Sequence, residues 1–160
     1  MSEGNIFVAQ GQGVYVLKFE GDVRLTLCSA LNAFLEELFK KPDLEAVYID
    51  LCDAKAIDST TLGFIAKIAI LSQRYLGKRP VLISVNPDID RLLVSVGFDQ
   101  VFDLVAERFE QLDDSQALQE MDASEEEVKE RVLEAHRILI ELNEENRAKF
   151  EDLVETLEKC

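Results

Sequence analysis

The sequence predicts an α/β fold, a sandwich of helices on a mixed β-sheet, followed by an acidic helical extension. Two observations predict this class. Short apolar segments alternate with segments whose apolar residues repeat at helical spacing, in the order ββαβαβαβα. The charge then changes, because residues 113–160 hold 16 acidic and 6 basic side chains and contribute −10 to the net charge of −15. We therefore divide the chain into a domain at 5–112, a linker at 113–123 and an acidic helical extension at 124–160.

The amino-terminal part predicts a hairpin, a helix and a buried strand. Two short strands at 6–9 and 14–19 flank Gly11-Gln12-Gly13, whose residues suit a hairpin turn. Apolar residues at helical spacing predict a helix over 26–41. The apolar, partly β-branched segment 46–51 then predicts a strand that is buried on both faces.

The remainder of the domain continues the alternation of helices and strands. An apolar helix is predicted from Leu62 to Leu76, and Asn86-Pro87-Asp88 is typical of the start of a further short helix. The predicted strands are 80–85 and 101–104, and a closing helix is predicted over 106–112.

The apolar helix has two faces that predict different surroundings. Its first face should lie on the sheet and holds Leu62, Ile65, Ala66, Ala69 and Leu76. The opposite face holds Thr60, Phe64, Lys67, Leu71 and Arg74. Apolar residues flanked by basic ones on that face suit a docking surface for a partner protein. The alternative is that another helix of the same chain covers Phe64 and Leu71.

Between the strand at 46–51 and this helix lies the polar turn Asp58-Ser59-Thr60-Thr61-Leu62-Gly63. Such a turn stands at the carboxyl end of a strand, where open α/β sheets usually keep their sites. We expect Ser59 to be the N-cap of the helix. A phosphate on Ser59 would add about −1.5 to −2 charges at the helix start, so a phosphorylation switch is predicted there. The alternative is a plain helix cap.

Four segments together resemble the STAS domain of bacterial anti-sigma factor antagonists over about residues 5 to 112. They are Phe19-Glu20-Gly21-Asp22-Val23, the strand followed by Asp-Ser-x-x-Leu-Gly at Asp58–Gly63, Val85-Asn86-Pro87, and Val96-Gly97-Phe98-Asp99-Gln100-Val101-Phe102. Two positions depart from the family pattern. Thr61 stands where the family more often has Gly, and Arg24 stands where an Asp is common.

The resemblance implies a STAS-type sandwich and a non-catalytic regulator that works by partner switching. A serine kinase would phosphorylate Ser59 and a phosphatase would reset it. The unphosphorylated form would bind an anti-sigma factor or similar switch protein, and the phosphoserine form would release it. The predicted partner-binding residues are Asp58, Thr60, Thr61, Phe64, Lys67, Leu71 and Arg74. Two alternatives stay open, an adaptor for a target such as a second-messenger enzyme, and a small α/β enzyme that uses the acidic turn.

The extension predicts an amphipathic helix that needs a partner surface. Ser124 followed by three glutamates forms a capping box, and an apolar seam follows. The seam holds Val128, Val132, Ala135, Leu139 and Leu142, and resumes as Phe150, Leu153 and Leu157. Asn146 interrupts it, either as a stutter or as a break between two helices. The seam can bury against the domain, in a homodimer or on a partner, and burial against the domain is favoured.

Composition and single residues restrict the other functions. A charge of −15 argues against nucleic acid and anionic membranes as partners, and no segment predicts a membrane span, a signal peptide, a cofactor or a metal site. The three cysteines Cys28, Cys52 and Cys160 show no paired spacing, which favours reduced thiols in a cytoplasm. The single histidine, His136, has no histidine or cysteine partner nearby, so we expect a surface residue.

Overall fold

A computed structural model describes residues 4–108 and 115–159, in which six strands form one mixed sheet. In chain order the strands are β1 Asn5–Gly11, β2 Val14–Val23, β3 Ala46–Ile57, β4 Val81–Ile83, β5 Asp103–Val105 and β6 Gln116–Ala117. Their order across the sheet is β5-β4-β3-β2-β1-β6. The pairs from β2 to β5 are parallel, whereas β1 runs antiparallel to both β2 and β6. The predicted mixed sheet is confirmed.

Five α-helices accompany the sheet within the same described ranges. They are α1 Cys28–Leu38, α2 Ser59–Leu76, α3 Pro87–Ser95, α4 Glu125–Leu142 and α5 Glu144–Glu158. Helices α1, α2 and α3 each connect two neighbouring parallel strands, as parallel pairing requires. The α/β class with a helical extension is thereby confirmed. No helix in the described part of the chain is long and apolar enough to cross a membrane.

Several element boundaries differ from the sequence prediction. Strand β2 continues to Val23 because the register shifts near Gly21, whose φ of 74° lets the strand bend without ending. Helix α1 ends at Leu38, before the predicted end at 41. Residues 106–108 are not helical, and 109–112 of the predicted closing helix lie outside the described residues. The predicted linker contributes the short strand β6, which pairs with β1.

The hydrophobic core extends from the sheet into the extension. Strand β3 lies between β2 and β4, and its Ile49 and Leu51 are fully buried. Ala135 and Leu139 of α4 belong to the same cluster of buried side chains and have no exposed surface. The extension therefore packs against the domain of its own chain, which is the favoured one of the three predicted arrangements.

The extension forms two helices, α4 and α5, that are separated at Asn143. Of the two predicted explanations for the interrupted seam, a stutter or a break between two helices, the break is confirmed. The Asn143 side chain caps α5 by accepting a hydrogen bond from Asn146 N at 2.8 Å. Asn146 is itself buried and donates to the Val96 carbonyl at 2.8 Å, while Lys149 donates to the Ser95 carbonyl. These polar contacts hold the α4–α5 corner at the end of α3.

Two leucines of the extension test whether α4 shares the core of the domain. Leu139→Ala should lower the free energy of unfolding by about 2–4 kcal/mol, because Leu139 is fully buried. Leu153→Ala in α5 removes the same atoms from a side chain that is 39% exposed, and should cost less than about 1 kcal/mol. Urea unfolding followed by circular dichroism measures both. Equal effects of the two variants would contradict a shared core.

Candidate functional site

Helix α2 begins directly after the central strand β3, and its N-cap is Asp58, not Ser59 as predicted. Asp58 has extended backbone angles, and its Oδ1 accepts a hydrogen bond from Thr61 N at 2.8 Å. Its second oxygen accepts from Leu25 N at 2.7 Å, which ties the loop before α1 to the same point. Asp58 therefore replaces Ser59 as the cap because a carboxylate offers two acceptors and favours the positive end of the helix.

Because capping does not use it, the Ser59 hydroxyl is free to form a contact with the extension. Ser59 Oγ lies 2.8 Å from Nε2 of His136 in α4, and His136 Nδ1 lies 2.7 Å from the Val132 carbonyl oxygen. A carbonyl oxygen only accepts, so Nδ1 carries a hydrogen. In a neutral imidazole Nε2 is then an acceptor for the Ser59 hydroxyl.

His136 is buried, so the prediction of a surface histidine is wrong. Only 1% of the residue is exposed, and its ring meets the edge of Phe150 from α5 with centroids 5.2 Å apart. The reason is its place on α4, one turn after Val132 and beside Leu139 of the apolar seam. The serine retains some exposure, whereas the imidazole is enclosed between α2 and α5.

Helices α2 and α4 come into close contact at Gly63. A Cβ atom built on Gly63 would overlap the backbone of Ala135 and lie 2.5 Å from its Cβ. One turn further along α2, Lys67 Nζ forms an ion pair of 2.6 Å with Glu134 and also donates to Asn32 Oδ1 at 2.6 Å. Three consecutive residues of α4 thus contact Ser59, Gly63 and Lys67. We call these three residues of α2 the α2 stripe.

The structure brings part of the predicted partner-binding set to this stripe and buries another part. Thr60, Thr61 and Phe64 are buried, and Phe64 has no exposed surface, so of the two surroundings predicted for it the structure shows the covered one and not the open docking face. Leu71 is half-buried beside the core, and Arg74 is exposed. The reason is that α2 is enclosed by neighbouring elements on more than the sheet side, including α4.

Below the start of α2 lies a buried thiol that does not suit nucleophilic chemistry. Cys28 Sγ lies 3.6 Å from Thr61 Oγ1, and burial raises the pKa of Cys28 to about 12, against the lowering effect of that hydrogen bond. Burial also raises the pKa of Cys52 to about 11. Both thiols are therefore protonated at neutral pH and are poor nucleophiles. Cys160 lies outside the described residues.

The acidic residues of the turn region are held in separate structural contacts. Asp50 Oδ1 accepts a hydrogen bond from Cys52 N at 2.9 Å. Asp53 pairs with Arg108 and Lys18, whose hydrogen bonds lower the pKa of the Asp53 carboxyl, while Asp53 raises the pKa of Lys18. Within residues 4–108 and 115–159, no three His, Cys, Asp or Glu side chains are grouped to hold a metal ion.

Sequence reasoning missed His136 and Ala135 as parts of the site. The spacing of the seam contains a usable signal, because His136 follows Val132 by four residues and precedes Leu139 by three, which places it on the same helical face. A histidine on an apolar face needs a polar partner, but the spacing within α4 does not identify Ser59 as that partner, 77 residues away.

Most of the chain matches one known protein family. The family model described as the STAS domain matches residues 5–114. The chain belongs to the STAS domain family. A search of curated proteins found no match. STAS domains are generally not enzymes, and a STAS domain is consistent with a partner-switching regulator.

The matched range contains most of the sheet and the first three helices, and the last two helices lie after it. Strands β1 to β5 and helices α1 to α3 lie within the matched range, while α4 and α5 follow it. At the two positions where the sequence departs from the family pattern, Arg24 pairs with Asp22 and Thr61 N bonds to the Asp58 cap. The contact between Ser59 and His136 therefore joins the STAS domain to the extension.

Gly63→Ala tests the close approach of α2 and α4. In an exposed helix this change would add about 1 kcal/mol of stability, but here the new methyl overlaps the Ala135 backbone. We expect a net loss of about 1–3 kcal/mol in the free energy of unfolding, measured in urea. Gln73→Ala, on an exposed position of the same helix, should change it by less than about 0.5 kcal/mol. A Gly63→Ala variant as stable as the wild type would exclude the close packing.

Proposed function

We propose that this STAS protein is an anti-sigma factor antagonist in a partner-switching circuit, controlled by phosphorylation of Ser59. The unphosphorylated form binds an anti-sigma factor or a similar switch protein, and phosphorylation of Ser59 releases it. The observation that supports this proposal is the position of Ser59, partly exposed at the first helical residue of α2 and unused by the cap. Ser59 thus has a hydroxyl that can be modified without removing the hydrogen bonds of Asp58.

The charges near Ser59 support the proposal that phosphorylation releases the partner and does not strengthen its binding. A neutral hydroxyl at Ser59 can lie within a close protein interface, beside the carboxylate of Asp58. A phosphate dianion at the same place would be repelled by Asp58 and would lose its hydration in the interface, which together cost several kcal/mol. Lys67, the nearest cation of the α2 stripe, already pairs with Glu134.

The predicted partner surface extends from the start of α2 along the helix. In this proposal Asp58 shapes the turn, while Lys67 and Arg74 supply positive charge for an acidic partner. Thr60, Thr61 and Phe64 support the surface from below, since they are buried. A serine kinase and a phosphatase acting on Ser59 would set the fraction of the protein that binds.

Substitutions of Ser59 test the switch directly. The Ser59→Ala variant should capture an anti-sigma factor or serine kinase from cell extract under phosphorylating conditions that abolish capture by the wild type. Ser59→Asp should reduce capture at least about tenfold, because it places a permanent charge beside Asp58. Affinity purification with mass spectrometry measures captured protein and the phosphate on Ser59.

Ser124→Asp is the matched control, since it adds the same charge at the N-cap of another helix, where Asp caps as well as Ser. It should capture partners like the wild type. The proposal fails if Ser59→Ala and Ser59→Asp both behave like the wild type, or if Ser124→Asp loses capture to the same extent as Ser59→Asp.

A further inference from the structure

The α2 stripe that the proposed function assigns to a partner is occupied in this structure by helix α4. Three successive residues of α4 meet three successive turns of α2: His136 contacts Ser59, Ala135 packs on Gly63, and Glu134 pairs with Lys67. Two of these contacts are polar, and both end on residues predicted for switching or partner binding. A helix is therefore the kind of element that fits this surface.

The contact at Gly63 leaves no room for a larger group beside it. Because the backbones of α2 and α4 touch there, the distance between the helices is fixed one turn away from Ser59. The hydroxyl of Ser59 fills the gap to His136 at 2.8 Å, which is a direct hydrogen bond. A phosphorus atom with three further oxygens does not fit between the same two atoms.

We propose that α4 is an internal, releasable occupant of the α2 stripe and that phosphorylation of Ser59 drives it off. This inference rests on the proposed function, in which Ser59 is the modified residue. In the modifying step, Ser59 Oγ attacks the terminal phosphorus of a nucleoside triphosphate in a serine kinase. The new Oγ–P bond replaces the bond to the leaving nucleoside diphosphate, and the hydroxyl proton passes to a base of the kinase.

The phosphorylated side chain has two positions available, and both weaken the docking of α4. If the phosphate stays under α4, it displaces His136. If Ser59 turns toward solvent, Nε2 of His136 loses its partner while the ring remains buried against Phe150. Closure with the phosphate inside would also keep it beside the carboxylate of Asp58, the neighbouring residue in the chain.

Cations near the site are already engaged in ion pairs. Lys67 is held by Glu134 and Asn32, and the guanidinium of Arg131 lies 3.6 Å from oxygens of both Glu130 and Glu134. Capture of the phosphate by Lys67 would require breaking its ion pair, whereas Arg131 Nε is buried without a hydrogen-bond partner among the described residues and is the one donor of these that could bind the phosphate without such a loss. Repulsion by Asp58 and the engagement of Lys67 favour release of α4, and capture of the phosphate by Arg131 is the opposing outcome that the experiment below distinguishes.

An external partner and α4 would then compete for the same stripe. In the unphosphorylated protein, a partner helix binds only the fraction of molecules in which α4 has left α2, which lowers its apparent affinity. A partner that succeeds would present a small residue opposite Gly63 and a carboxylate opposite Lys67, as α4 does with Ala135 and Glu134. The phosphoserine excludes both occupants for the same steric and electrostatic reasons.

Amide hydrogen exchange of the full-length chain tests the release of α4. Phosphoserine is incorporated at position 59 during translation, and exchange is followed by mass spectrometry in peptides that cover α4 and, as an internal reference, β3. We expect exchange in α4 to rise at least tenfold while β3 stays protected. Phosphoserine at the exposed Ser115 is the matched control and should leave α4 as protected as in the unmodified chain.

Three outcomes would overturn the proposal. The first is unchanged exchange in α4. The second is slower exchange in α4, which would mean that His136 and Arg131 capture the phosphate. The third is faster exchange in both α4 and β3, which would mean loss of the whole fold. The test needs no partner, so it separates the two proposals. If α4 stays protected while phosphorylation still abolishes partner capture, only this inference is refuted. If α4 is released while phosphorylation has no effect on partner capture, only the proposed function is refuted.

Discussion

The close approach of α2 and α4 at Gly63 is the contact on which the site depends. Any side chain at this position would separate the helices, because the Ala135 backbone occupies the space of a Cβ atom. The hydrogen bond from Ser59 to His136 and the ion pair from Lys67 to Glu134 lie on either side of it and need the same spacing. Gly97 also lies close to the extension, since a Cβ atom there would meet the Asn143 side chain at the α4–α5 corner.

Asp58 caps helix α2 and Ser59 contacts the extension, and this difference determines what the proposed phosphorylation would change. Asp58 uses both carboxylate oxygens, one for the first turn of α2 and one for Leu25, so it holds the start of the helix alone. Losing the Ser59 hydroxyl as a donor therefore leaves the cap intact. In the proposed switch, modification of Ser59 would act on the contacts of α2 with other helices while the helix itself stays formed, as a reversible switch requires.

The fold was predictable from the sequence because its signals are local, whereas the site depends on contacts between distant residues. Apolar periodicity gave the strands and helices, and the hairpin and the capping box were visible in single turns. For Phe64 the sequence left open both an exposed docking face and cover by another helix, and only contacts between distant residues decide between them. The burial of His136 was not predicted, because it results from the packing of α4 against α2 and α5. The choice of Asp58 over Ser59 as the cap was also ambiguous, because both residue types cap helices well and Leu25 is remote in sequence.

If α4 is a releasable occupant of the α2 stripe as proposed, the extension would set the sensitivity of the switch without contacting a partner. If α4 leaves α2 in about one molecule in a hundred, the apparent affinity of a partner for the stripe falls about a hundredfold. That fraction depends on contacts far from Ser59, such as the buried Leu139 and the hydrogen bond from Asn146 to Val96. Changes in the extension would then adjust the threshold of the circuit while the turn at Asp58 and Ser59 stays the same. The strongly acidic surface of the extension would contribute as well, since its charge repels acidic partners from the α2 stripe while α4 is in place.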